Sequence, residues 1–169
     1  ATRRAFFDGM ESTVNQLRNH PCIIYWTVFN EGWGQFDGNA AYARLRELDD
    51  TRFIDTASGW FKVKNTDVDS EHIYFKPVKL TYGEKPMVLS EFGGYNHRVE
   101  GHAFSTRDFG YKRYESVNSF AHAFRALYKD QIAPAWREGL AATVYTQLSD
   151  VEDELNGLIS YDRKVIKIA

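Results

Sequence analysis

Cys22-Ile23-Ile24-Tyr25-Trp26-Thr27-Val28-Phe29 is an unbroken apolar and β-branched run, closed abruptly by Asn30-Glu31-Gly32-Trp33-Gly34. A strand exposed to water on one face would alternate with a period of two. A run without alternation is what a strand apolar on both faces requires, and helix-covered parallel sheets are where such strands occur. The segment before it places Phe6, Phe7, Met10, Val14 and Leu17 at helical spacing and is stopped by His20-Pro21. Helix followed by doubly buried strand is the grammar of an α/β protein.

The same grammar repeats along the chain. A helix is expected over Gly38–Asp49, with Ala41, Leu45 and Leu48 on one face, and a short strand over Phe53–Ala57 that leaves Ser58-Gly59-Trp60 at its end. His72-Ile73-Tyr74-Phe75 reads as a further strand ending before Pro77, and Met87–Phe92 as another, punctuated by Gly93-Gly94. The stretch from Tyr95 to Arg113 has no clear period, and a connection of that length tends to be a functional lid or disordered. A long helix begins near Ser116, with Val117, Phe120, Ala121, Phe124, Leu127 and Tyr128 as its apolar stripe, and Pro134 is expected to kink or restart it. Leu140–Tyr145 is the last strand, followed by an acidic connection through Glu154. In parallel β/α folds chemistry sits at the C-terminal ends of the strands. Here those ends carry Asn30-Glu31, Trp60, Tyr74, Glu91 and Gln147.

Composition narrows the class of ligand. Of the 169 residues 43% are hydrophobic and 26% charged, which is ordinary for a globular domain, whereas aromatics reach 15%. Flat aromatic faces suit sugar rings, so the surplus beyond what a core needs favours a carbohydrate ligand over an anionic one. With 21 basic and 23 acidic residues, a net charge of −2 and no basic patch, nucleic acid and anionic membranes gain no support as partners. The single cysteine, Cys22, excludes an intramolecular disulfide and a cysteine metal cluster. No cofactor and no metal are expected: His97 and His102 lack a third ligand at a recognisable spacing, and the acidic run Asp150, Glu152, Asp153, Glu154 lacks the glycine and terminal glutamate of a calcium loop. That run is expected to be a solvated connection with local pairing.

Glu31 and Glu91 are the candidate reacting groups. A glutamate closing an apolar strand costs desolvation energy unless it is paired or used. One such residue is readily explained by solvent or a neighbouring arginine; two at the ends of the most apolar strands suggest a carboxylate pair. A retaining glycosidase needs such a pair about 5–5.5 Å apart, one as nucleophile and one as acid and then base.

Three ordered blocks make the reading specific. Arg18-Asn19-His20-Pro21 followed by an apolar strand and Asn30-Glu31, then Ser90-Glu91-Phe92-Gly93-Gly94, then Tyr145–Glu154 with Asn156-Gly157-Leu158 and Tyr161-Asp162-Arg163, run the length of the chain. In these blocks the chain resembles the catalytic barrel of glycoside hydrolase family 2, which includes β-galactosidases, β-glucuronidases and β-mannosidases. The resemblance implies a fold, a partial (β/α)8 TIM barrel holding strands four to eight, with 1–169 as a single domain excised from a longer polypeptide. It also implies roles: Glu31 as general acid/base, Glu91 as nucleophile, Asn30 hydrogen-bonded to the substrate's 2-hydroxyl, and Tyr74 orienting Glu91. His72, one pleat back, competes with Tyr74 for that last role or is a satisfied strand histidine. The aromatic residue that the family carries on its eighth strand is not obvious here.

Trp33 and Trp60 lie just past strand ends, where stacking on a sugar and packing at the rim are both open. Trp26 and Trp136 are expected in the core. Tyr95 and the stretch with His97, His102 and Phe104 are candidates to shape the subsite pocket, and Gln147 to face it. Since a complete barrel needs eight strands and about 250 residues, the missing strands and preceding domains of the parent are expected partners, together with self-association through unpaired sheet edges. The isolated chain is expected to have weak activity or none. Two other readings stand beside the retaining β-glycosidase: a non-catalytic carbohydrate-binding or structural half-barrel, and a metal-dependent barrel hydrolase, for which only His72 is well placed. No signal peptide or membrane span is recognisable. That leaves compartment open, with the cytoplasm expected for a parent without a leader.

Overall fold

The computed structural model describes residues 2–168. The elements in chain order are α1 (Thr2–Leu17), β1 (Tyr25–Asn30), α2 (Gly38–Leu48), β2 (Phe53–Ser58), β3 (Asp69–Ile73), β4 (Met87–Gly93), β5 (Tyr95–Asn96), β6 (Lys112–Arg113), α3 (Val117–Leu127), a π-helical turn (Tyr128–Ile132), α4 (Ala133–Glu138) and β7 (Leu140–Thr146). The fold is α/β. The strands form a β1–β2 pair, a three-stranded sheet in the order β3–β4–β7 and a β5–β6 pair, and none of these closes into a barrel. By contact the chain divides into two compact units. The first comprises the described residues through Glu71 together with Gly83–Met87, and the second comprises His72–Tyr82 and the described residues from Val88 onward.

The first unit is a β-α-β crossover with α1 packed on it. β1 and β2 are parallel, Tyr25 opposite Phe53 and Asn30 opposite Ser58, so both strands end at the same level. The apolar stripes of α1 and α2 meet them in two clusters: Val14, Leu45 and Ile54, with Met10, Trp26 and Leu48 against them, and Phe29, Ala41 and Ala57, with Phe6, Phe7 and Phe36. Phe6 stacks on Phe29 with ring centroids 5.1 Å apart.

Asp49 caps the far end of α2 and is the polar anchor of this unit. It accepts from Trp26 Nε1 at 2.9 Å, Arg52 Nη1 at 2.8 Å, and the Thr51 amide and hydroxyl at 3.0 and 2.6 Å. Burial alone would raise its pKa, but these donors outweigh burial and hold the carboxyl well below the usual carboxylate range. The folded-state value is depressed, so the stabilisation is complete above the unfolded value of about 3.9 and is lost as pH falls below it. Asp49→Asn is expected to cost about 1.5–3 kcal/mol at neutral pH, measured by urea unfolding, and to cost progressively less as the pH is taken below 4.

In the second unit, α3 opens with a reciprocal cap in which the Ser116 hydroxyl accepts from the Ser119 amide at 3.1 Å. The expected break at Pro134 takes a definite form: the helix widens into the π turn immediately before it, and Pro134 then sits in the first turn of α4, where a missing N–H costs little. Gly139 ends α4 at φ 119°, a left-handed cap that suits glycine.

Four expectations are corrected. β1 begins at Tyr25 rather than Cys22, because Ile23 is drawn into a turn whose amide donates to the His20 carbonyl at 3.1 Å. Nor is β1 buried on both faces: only Phe29 is buried and Ile24 is 71% exposed, since among the described residues the strand is flanked by β2 alone. β3 starts at Asp69 and ends at Ile73, so Tyr74 stands just beyond it; the Asp69 amide pairs with the Pro86 carbonyl at 2.9 Å, a tertiary contact that outweighs weak local propensity. Trp136 is not core but 74% exposed. It lines an apolar groove of about 570 Å³ with Phe124, Tyr128, Ile132 and Leu140.

The acidic connection also departs from expectation. Asp150 is buried, and its partner is not local: Lys167 Nζ reaches Asp150 Oδ1 at 2.6 Å with both side chains out of solvent. His97 and His102, in the stretch read as a lid, are tied down by Tyr114 O at 2.9 Å and Asp162 Oδ2 at 2.9 Å respectively, and that stretch closes with the parallel β5–β6 pair.

Candidate active site

Glu31 belongs to the first unit. β1 delivers Asn30 to the strand end, where the Ser58 hydroxyl donates to Asn30 Oδ1 at 3.0 Å, and the next amide, that of Glu31, donates to the Ser58 carbonyl at 3.0 Å. The chain then turns sharply. Glu31 has φ 53°, followed by Gly32 at 82° and Gly34 at 67°. A glutamate in the left-handed region is uncommon, and such outliers concentrate where a side chain has to be aimed. Gly32 is required twice over, by its φ and because a Cβ there would come within 2.3 Å of the Phe61 ring. Glu31 is half-buried, whereas Trp33 is 79% and Trp60 54% exposed. This strand end therefore offers an amide, a carboxylate and exposed aromatic faces, among them Phe61, which has no periodic or motif signal in the sequence.

Glu91 belongs to the second unit, on the largely buried strand β4. Met87, Val88, Leu89, Phe92 and Gly93 of β4 are all buried, and the Glu91 side chain keeps 30% of its surface. The Tyr74 hydroxyl donates to Glu91 Oε2 at 2.5 Å, and His72 Nδ1, on a fully buried ring, lies 3.3 Å from the same oxygen. Both residues weighed as the orienting group thus reach one carboxylate oxygen. Burial, and then the hydrogen bond to Glu91, push the Tyr74 phenol far above its ordinary pKa, so it stays protonated as a donor at any working pH. Tyr74 Oη is also 3.1 Å from Thr146 Oγ1, and its ring stacks on Tyr111 with centroids 3.8 Å apart.

The other expected residues lie in the second unit with different surroundings. Tyr95 is buried, 5.2 Å from the Tyr114 ring between centroids, and its phenol is pushed up chiefly by burial. Gln147 is engaged by the connection after β7: its Nε2 donates to Asn156 Oδ1 at 2.7 Å and Glu154 Oε2 at 3.0 Å. Thr146 and Tyr111 had no distinguishing sequence signal. A threonine at a strand end looks like β-propensity, and Tyr111 lies in the aperiodic stretch.

Each unit thus carries a glutamate at or just past a strand's C-terminal end, the place where parallel β/α proteins keep their chemistry. Residues 1–166 match the family model described as the TIM barrel domain of glycosyl hydrolases family 2, and the chain belongs to that family. A β-galactosidase of Yersinia enterocolitica is 33% identical over 64 residues, covering 38% of this chain and 6% of that protein. Among solved structures, a β-D-glucuronidase of Dictyoglomus thermophilum aligns with a TM-score of 0.66 at 18% identity, over 96% of this chain and 33% of its own. An FMN-binding β-glucuronidase of Facaelibacterium prausnitzii L2-6 aligns at 0.63 and 19% identity, over 96% and 30%. At these identities the two structures bear on fold alone, and the chain spans about a third of each.

Proposed function

We propose that this chain carries the acid/base and the nucleophile of an exo-acting retaining β-glycosidase, as Glu31 and Glu91, on strands corresponding to the fourth through eighth of the family's barrel. Glu31 would protonate the glycosidic oxygen while Glu91 attacks the anomeric carbon, releasing the aglycone as an alcohol and leaving a glycosyl ester on Glu91. Water, deprotonated by Glu31, would then attack the same carbon and free Glu91, restoring both groups and retaining configuration. Asn30 is assigned to the sugar 2-hydroxyl, and Trp33 and Trp60 to its apolar face. The observation that carries the reading is the grip of Tyr74 and His72 on one oxygen of Glu91, since a nucleophile must be held in attack geometry before the sugar arrives. Activity is proposed for a polypeptide of the relatives' length; the 169 residues alone are expected to turn over weakly.

Trapping tests it. The full-length protein is incubated with 2-deoxy-2-fluoro β-glycosides of galacto, glucurono and manno configuration, and peptides are mapped by mass spectrometry. One of the three is expected to leave a glycosyl mass on the peptide containing Glu91, absent in Glu91→Gln. Sugar binding with neither label nor turnover would overturn the reading in favour of a non-catalytic carbohydrate-binding domain.

A further inference from the structure

We propose that Thr146 is a positioning residue for Glu91, acting through the Tyr74 hydroxyl; this rests on Glu91 being the nucleophile. A phenol has one proton, and Tyr74 spends it on Glu91 Oε2 at 2.5 Å. The contact of 3.1 Å between Tyr74 Oη and Thr146 Oγ1 must therefore have Thr146 as the donor. That direction agrees with the electrostatics: burial and Glu91 push the Tyr74 phenol up, and Thr146 is the group that pulls it down, as a donor to the phenol oxygen does. A hydroxyl that accepts while it donates is a better donor, so the two bonds reinforce each other.

The rest of the cradle fixes the same atom. The Thr146 carbonyl accepts from the Gly94 amide at 3.0 Å, which ties the end of β7 to the residue following β4. Gly94, at φ 59°, leaves room for the stack: a Cβ there would come within 2.3 Å of Tyr111 and 3.0 Å of Tyr74. Tyr111 lies parallel to Tyr74 at an interplanar angle of 8°. The ring is thus held on one face by Tyr111 and at its oxygen by Thr146, and only its bond to Glu91 meets the reacting group. Thr146 does its work one bond removed from the chemistry. It needs a hydroxyl rather than bulk.

The test is kinetic, on the full-length protein with an aryl β-glycoside whose glycosylation step limits kcat. Thr146→Val keeps shape and loses the donor, and is expected to lower kcat about five- to tenfold with KM within about twofold. Thr146→Ser is expected to restore kcat to within about twofold. In a Tyr74→Phe background, Thr146→Val should have almost no further effect, because the oxygen through which Thr146 acts is gone. Equal losses in both backgrounds, or a kcat untouched by Thr146→Val, overturn the assignment while trapping on Glu91 still stands. Failure to trap Glu91 in the unsubstituted protein overturns both. Should the valine not fold, Thr146→Ala carries the same cycle without added branching.

Discussion

Replacing Glu91 by glycine is expected to lower turnover of a nitrophenyl β-glycoside by about four or more orders of magnitude, the scale of loss when a catalytic nucleophile is removed. The substitution deletes the carboxylate proposed to attack and leaves Tyr74 and His72, which hold Glu91 Oε2, facing a small vacancy. Azide is small enough to enter it and needs no proton removed. It should restore turnover and give the glycosyl azide of inverted configuration, since one displacement replaces two. Glu31→Ala should behave differently. A dinitrophenyl leaving group needs no protonation, so the first step should survive, and azide should then yield the azide of retained configuration by attacking the ester on Glu91. Product stereochemistry by NMR therefore assigns the two glutamates independently of rate. Inverted product from the Glu31 variant and retained product from the Glu91 variant would mean the roles are exchanged.

Lys167→Met should unfold the second unit far more easily than its place near the end of the sequence suggests. Lys167 Nζ lies out of solvent and has three acceptors: Asp150 Oδ1 at 2.6 Å, the His97 carbonyl at 2.8 Å and the Leu155 carbonyl at 3.1 Å. Asp150 Oδ1 also accepts from the Gly157 amide at 2.9 Å. Burial pushes Asp150 up and Lys167 down, and their contact pulls each back toward its charged form. Removing one partner strands a buried carboxylate and two carbonyls, which costs about 3–5 kcal/mol, whereas replacing both by apolar residues is often close to neutral. Lys167→Met is thus expected to lower the urea midpoint sharply, and Lys167→Met with Asp150→Leu to recover much of it. A single variant as stable as the parent would show that water reaches the pair.

The parts legible in the sequence are those with a strong local signal. α2, β4 and β7 lie within a residue of their expected bounds and α1 ends before the expected stop at His20-Pro21, because periodicity or an apolar run set them without help from distant residues. β3 was displaced because Asp69 and Ser70 carry no strand signal and are recruited by pairing with a segment far along the chain. The burial of β1 was overestimated because its apolar run anticipates covering layers that the described residues do not supply. For the site, Glu31 and Glu91 stood out by being charged at the ends of apolar strands. Thr146, Tyr111 and Phe61 did not, since each is ordinary in its own segment and gains meaning only from a neighbour in space. Lys167 was the hardest to see: one cation in the apolar tail Val165-Ile166-Lys167-Ile168 looks like a solvated break in a run, and its partner Asp150 looked like surface.

Arg52 bears on what a recognisable motif is. Its guanidinium donates to the carbonyls of Arg18, His20 and Ile23 at 2.5, 3.2 and 2.6 Å, and to Asp49 at 2.8 Å. Arg18-Asn19-His20-Pro21 is the tetrapeptide that opens the first of the three blocks read in the sequence. Yet the turn it forms is held through the Arg18 and His20 carbonyls, by a side chain 32 to 34 positions downstream. A lysine in that place has no planar fork with which to span these acceptors. Replacing Arg52 would leave the four letters of the tetrapeptide intact and its turn unfastened, so the structural unit here is the tetrapeptide together with Arg52.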